Sequence, residues 1–280
     1  MAEINKQKKE IMNNNKYLCN YGQLKNVKMY PPTKYKYNSG LKILQNTNLP
    51  IVQVVNSNCI SMAQKFIQMN DNNVNPVIVT NVERNYNFDN DLILSNVKDD
   101  SIMLRSNFYK VAENNIMFPL CSGEVVYVKN LFIFRDVNFN VNNGAFNIST
   151  IVASFINEPK LIKDCMTTYN YFDVQQTIES IFQCAAVAGH NILILNDLGI
   201  KHNKIPSSDI IEILNICILR YGSYFKFIII AYPILNYDDK MHFSSIQNNI
   251  INTHDILTND NLSDDNKIKD NNTNIAQSNY

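Results

Sequence analysis

Asp99 and Asp100 are adjacent carboxylates, the residue type that general acid/base chemistry requires, and Lys98 before them can contact a phosphate directly. The same three residues also suit the charged first turn of a helix starting near Ser101, where acids are favoured by the helix dipole. A second cluster lies between Leu195 and Pro206, where Lys201, His202 and Lys204 offer cationic contacts to an anionic ligand around Asn196 and Gly199. The alternative there is a solvated loop, with Ser207 capping the helix that follows. Upstream, Asp89, Asn90 and Asp91 follow Phe88, an aromatic that either stacks on a base or fills a core. His190, His202, His242 and His254 have no cysteine or carboxylate at metal-ligand spacing, so no metal site is expected. His190, beside Gly189, reads as a helix C-terminal residue. Neither a Walker lysine nor a G-x-G-x-x-G loop occurs, and Cys121 lies in no nucleophile elbow.

The elements that must position these residues alternate along the chain. Residues 51–55 are apolar and largely β-branched and read as a strand; Ser57 is the expected cap of a helix whose Ile60, Ala63, Phe66 and Ile67 share a face. Residues 76–80 are a second buried strand. Residues 101–111 have helical spacing, whereas 124–128 and 131–134 read as a hairpin turning at Lys129 and Asn130. Residues 148–155 add a strand. Asp173 is the expected cap of a helix that buries Ile178, Ile181, Phe182, Ala185 and Ala186 and stops at Gly189. Strand 191–195, a helix over 210–221 closed by Gly222, and strand 225–231 follow. Such alternation predicts an α/β fold, a mostly parallel sheet with helices on both faces.

Totals set the outer bounds. With 280 residues, 45% of them hydrophobic, the chain is long enough to bury a large core. Its 25 basic and 25 acidic residues cancel, so no general affinity for nucleic acid or an anionic membrane is expected. The longest apolar run, 227–235, contains a proline and is too short to span a membrane. Six cysteines without a C-x-x-C pair are expected reduced and buried. The 46 asparagines are spread through every region, which points to coding bias rather than a low-complexity segment. The polar N-terminus lacks a secretory signal, and an intracellular location, cytoplasmic or nuclear, is expected. Three parts are expected: a basic, Tyr-rich lead-in over 1–40, a core over 41–238 and an Asn/Asp-rich disordered tail over 239–280.

Residues 131–136, Leu-Phe-Ile-Phe-Arg-Asp, and residues 185–195, Ala-Ala-Val-Ala-Gly-His-Asn-Ile-Leu-Ile-Leu, resemble segments of the microbial-type poly(ADP-ribose) glycohydrolases. Residues 51–63, 76–85 and 151–159 resemble three further segments of that family in the same order. The resemblance covers roughly residues 45–235 and implies a three-layer, macrodomain-like fold with ADP-ribose or an ADP-ribosylated protein as partner and no cofactor.

Two ligand motifs of that family are altered here. Its Gly-Gly-Gly loop is matched by Asp89, Asn90 and Asp91, and its Gln-Glu-Glu by Lys98, Asp99 and Asp100. Glycines let backbone N–H groups approach a diphosphate, whereas two aspartates place like charge beside it at about 1 kcal/mol per pair in a water-like dielectric. Aspartate is also one methylene shorter than glutamate, and a misplacement of roughly 1 Å costs about a hundredfold in rate. In the Gly-rich loop of the family, this chain keeps Gly199 and Pro206 and has Asn196 and Lys201 where glycines stand. The resemblance thus implies a divergent member with lost or weakened glycohydrolase activity. The alternatives are an active hydrolase using Asp100 on the ribose and Asp99 to orient it, and a non-enzymatic ADP-ribose reader or interaction scaffold.

Overall fold

The computed structural model describes residues 2–41, 50–69, 71, 73–82, 102–113 and 119–232. In chain order the elements are α1 (Ala2–Asn20), β1 (Thr33–Lys36), β2 (Ile51–Val55), α2 (Cys59–Gln68), β3 (Pro76–Val82), α3 (Ile102–Arg105) and α4 (Phe108–Glu113). They continue with β4 (Glu124–Arg135), β5 (Val141–Ser154), the small hairpin β6 (Leu161–Ile162) and β7 (Cys165–Met166), α5 (Thr168–Val187), β8 (Ile192–Leu195), α6 (Ser207–Tyr221) and β9 (Phe227–Ala231).

Seven strands form one sheet in the order β1-β4-β5-β3-β8-β9-β2. β5, β3, β8, β9 and β2 run parallel, and β4 and β1 extend the sheet antiparallel. Side chains alternate across the pleat. Leu193, Leu195, Ile228 and Ile230 pack with Ile178, Ile181 and Phe182 of α5 and Ile210 and Leu214 of α6. Ile192, Ile194 and Ile229 pack on the opposite face with α1, α2, α3 and α4. Strands buried on both faces must be apolar throughout, which is why 192–195 and 227–231 read as unbroken apolar runs.

The sequence reading and the structure differ at several places. Residues 124–135 form one strand, and Lys129 and Asn130 are a bulge in it, with Asn130 at φ 52°. The reversal comes at Asp136, whose Oδ1 accepts the N–H groups of Asn138 and Asn140, both at 2.9 Å. The helix over 101–111 is split because Asn107 is bonded to β4, donating its N–H to the Phe132 carbonyl at 3.1 Å and accepting the Phe132 N–H on its side-chain Oδ1 at 2.9 Å. The lead-in contains α1, whose Met12, Asn15 and Cys19 make a buried helical stripe. Three caps shift: Asn58 rather than Ser57 caps α2, accepting the Ser61 N–H at 2.8 Å; Asp173 lies inside α5; Ser207 is the first residue of α6. Of the six free thiols, Cys19, Cys184 and Cys217 are buried, Cys59 is half-buried, and Cys121 and Cys165 are exposed. Gly189 ends α5 at φ 77°, as expected of a left-handed stop. The segment expected to be disordered, 239–280, lies outside the described residues. Among the described residues no helix is long and apolar enough to cross a membrane.

Candidate functional site

The parallel strands β2, β3, β5, β8 and β9 end along one edge of the sheet, where α/β folds place ligands in the crevice beyond the strand ends. The segment after β8 builds the centre of this crest. Leu198 and Gly199 are consecutive left-handed residues, at φ 48° and 86°, the conformation of a tight turn between Asp197 and Ile200. Gly199 is required there, because an added Cβ would lie 2.9 Å from Ile205 Cδ1 and 3.1 Å from Asn203 Oδ1 as well as strain the backbone.

The backbone N–H groups of this loop are engaged within it. Asp197 accepts the Gly199 N–H on Oδ1 at 3.5 Å and the Lys201 N–H on Oδ2 at 3.2 Å. Asn196 Oδ1 accepts the Leu198 N–H at 3.1 Å, and the Asp197 carbonyl accepts the Ile200 N–H at 3.0 Å. Asn81, near the end of β3, donates from Nδ2 to Asp197 Oδ1 at 3.3 Å. Asp197, 9% exposed, thus holds the loop together with both carboxylate oxygens. Leu198 and Ile205 anchor the loop in the core and Ile200 packs against it.

A neighbouring loop is stitched to this one. Glu158 donates N–H to the Asn203 carbonyl at 2.9 Å, and Asn203 Nδ2 donates to the Phe155 carbonyl at 3.3 Å. Lys204 pairs with Glu158 and holds that carboxyl below its ordinary range. Lys204 is therefore committed to an exposed ion pair, whereas Lys201 projects from the crest, exposed. Among the described residues, the buried Asn81 Oδ1 and Ser154 Oγ, at the ends of β3 and β5, have no hydrogen-bond partner.

Of the residues expected at the site, Asn196, Gly199 and Lys201 are brought together on the β8–α6 loop. Phe88, Asp89, Asn90, Asp91, Lys98, Asp99 and Asp100 lie outside the described residues. Asp197 and Asn81 were not expected. The signal for Asp197 is Asn-Asp-Leu-Gly after a strand, the composition of an Asx turn leading into a left-handed glycine.

Two polar clusters lie away from the crest. His190, at the amino end of β8, is 4% exposed; its Nδ1 meets the Asn75 carbonyl at 3.2 Å, so Nε2 is left to accept from the Tyr127 hydroxyl at 2.9 Å. Burial, with a smaller contribution from Lys129, pushes the imidazole below its ordinary value, and this keeps it a neutral structural link. A cavity of about 190 Å³ lies between α2, α3 and the β4–β5 turn. Arg135 on its wall donates from Nε to Asn15 Oδ1 at 2.7 Å and from its other nitrogens to Asn14 and the Phe139 carbonyl, tying α1 to the sheet. The Phe-Arg-Asp run over 134–136 is thus accounted for structurally, Arg135 holding α1 and Asp136 closing the turn.

No protein-family model and no curated protein matches the sequence. Solved structures do resemble it. The poly(ADP-ribose) glycohydrolase from Thermomonospora curvata superposes with a TM-score of 0.69 at 12% identity, over 85% of this chain and 97% of that one. The enzyme from the same organism bound to the inhibitor ADP-HPD gives 0.65 at 11% identity, with the same coverage of 85% and 97%. The Deinococcus radiodurans enzyme in complex with ADP-ribose gives 0.55 at 9% identity, over 87% of this chain and 91% of that one. The fold is therefore the macrodomain-like α/β fold of the microbial poly(ADP-ribose) glycohydrolases.

Proposed function

We propose that this chain is a divergent macrodomain-like protein of the microbial poly(ADP-ribose) glycohydrolase type in which ADP-ribosyl glycohydrolase activity is lost or weakened, and that it acts chiefly as an interaction scaffold. The observation that carries this reading is the β8–α6 loop: its backbone donors are engaged by Asp197 and Asn196, so a diphosphate gains few hydrogen bonds there and meets a fixed negative charge. Asp89 and Asp91 add two more carboxylates to a segment where the resembling family carries glycines. A fold can outlast its site in this way, because the core strands and helices are held by burial and not by the crest.

The test is hydrolysis of an ADP-ribosylated protein by the full chain at high enzyme concentration, with Asp100→Asn run in parallel and binding of ADP-ribose followed by calorimetry. No release of ADP-ribose and millimolar or weaker binding are expected. Release that Asp100→Asn abolishes would overturn the reading in favour of an active hydrolase, with Asp100 acting on the ribose and Asp99 orienting it. A second reading, a non-enzymatic reader of ADP-ribose, draws on the buried Asn81 Oδ1 and Ser154 Oγ at the strand ends, polar atoms that a ligand can satisfy. Micromolar binding without turnover would favour it.

A further inference from the structure

We propose that Asp197 is the specificity-determining residue of the crest: its carboxylate fills the anion position of the β8–α6 loop, and removing it opens that loop to phosphate-bearing ligands. This deepens the reading of a weakened glycohydrolase and rests on it. The consecutive left-handed residues Leu198 and Gly199 make a tight turn, and from it the Gly199 and Lys201 N–H groups both reach a single carboxylate. Two backbone donors aimed at one place favour a negative oxygen there, and the loop itself supplies it. Asp197 meets them with both oxygens, Oδ1 toward Gly199 N–H at 3.5 Å and Oδ2 toward Lys201 N–H at 3.2 Å.

Two neighbours hold the carboxylate in place. Asn81 Nδ2 donates to Oδ1 at 3.3 Å, which ties the loop's own anion to the end of β3. Leu198 and Ile205, 1% and 2% exposed, anchor the loop on either side and resist its rearrangement around an incoming group. The backbone conformation therefore does not depend on the carboxylate alone: the left-handed pair is also held by the Ile205 and Asn203 N–H groups, which donate to the Gly199 carbonyl at 3.3 and 2.9 Å. Without the carboxylate, the Gly199 and Lys201 N–H groups are left as donors facing the crest, and the exposed ammonium of Lys201 adds positive charge beside them.

The experiment compares the full chain with Asp197→Ala and Asp197→Asn, using inorganic pyrophosphate and ADP-ribose as probes and calorimetry and ligand-dependent thermal shift as readouts. Asp197→Ala is expected to bind both probes at least about tenfold more tightly than the unmodified chain, a factor equivalent to about 1.4 kcal/mol. Asp197→Asn removes the charge but keeps an acceptor in the loop, so a smaller gain is expected, and it serves as the test if the alanine variant does not fold. Unchanged affinity in variants that keep the parent circular dichroism spectrum would overturn this inference and leave the proposed function standing. Tight pyrophosphate and ADP-ribose binding by the unmodified chain would overturn both, because the carboxylate would then not exclude anions.

Discussion

Replacing Arg220 by alanine tests how the helices α5 and α6 are held together behind the sheet. Glu179 of α5 is 1% exposed and its carboxylate is ionically paired with Arg220 Nη1 at 2.7 Å. Oε1 also accepts from Gln175 Nε2 at 3.0 Å, and Oε2 accepts from the Tyr221 hydroxyl at 3.3 Å. Burial pushes the Tyr221 hydroxyl up to about 12, so it remains a neutral donor at working pH. Removing one partner of a buried pair costs about 3–5 kcal/mol, because it strands the other charge. Here the cost falls near the lower end, about 3 kcal/mol, since neutral donors remain on the carboxylate and Arg220 is itself 45% exposed. Glu179→Gln strands nothing comparable: water reaches the freed guanidinium, and the loss is about 1–2 kcal/mol. The Arg220→Ala/Glu179→Gln double variant should therefore recover part of the Arg220→Ala loss. The chain has no tryptophan, so urea unfolding followed by tyrosine fluorescence and far-UV circular dichroism is the suitable assay. If Arg220→Ala costs less than Glu179→Gln, or if the two losses simply add, the stranded-charge argument is wrong.

Two further predictions concern the ends of the sheet. Gly199→Ala and Gly189→Ala both impose a left-handed conformation on alanine, at φ 86° and 77°, but an added Cβ meets Ile205 Cδ1 at 2.9 Å in the first case and nothing within 4 Å in the second. Gly189→Ala should cost about 1–2 kcal/mol of backbone strain, and Gly199→Ala clearly more; equal midpoints in urea would contradict the contact geometry. For His190, whose folded value is depressed, the unfolded chain binds the proton more readily, so its stabilising contribution is present above about pH 6.5 and is lost as pH falls through the lower folded value. The stability advantage of the parent over His190→Gln should narrow from about pH 7.5 to about pH 5, and a gap that stays constant across that range would show that the imidazole does not titrate this way.

What could be read from the sequence, and what could not, follows from where each signal is generated. β2, β3, β8 and β9 were legible because a strand covered on both faces has no freedom to be polar, and the sequence-based bounds differ from the observed ones by two residues or fewer. α1 was not, because its buried stripe has Asn15 at its centre. That side chain earns burial through specific bonds, to the Leu104 carbonyl at 3.0 Å and from Arg135 Nε at 2.7 Å, that no hydrophobic period records. The false hairpin at Lys129 and Asn130 has the same origin: a bulge and a turn draw on the same residue types, and only the length of the partner strand, β5, decides between them. The crest repeats the problem where function is at stake. Its composition, with Gly199 kept and lysines nearby, suggested cationic contacts to a ligand, but the sign of the loop's charge at the point of contact is set by Asp197, and whether that carboxylate faces the solvent or the backbone depends on the torsions of Leu198 and Gly199. Residue types thus suggested an open cationic loop, while its backbone torsions and the hydrogen bonds of Asp197 make it a self-bonded one.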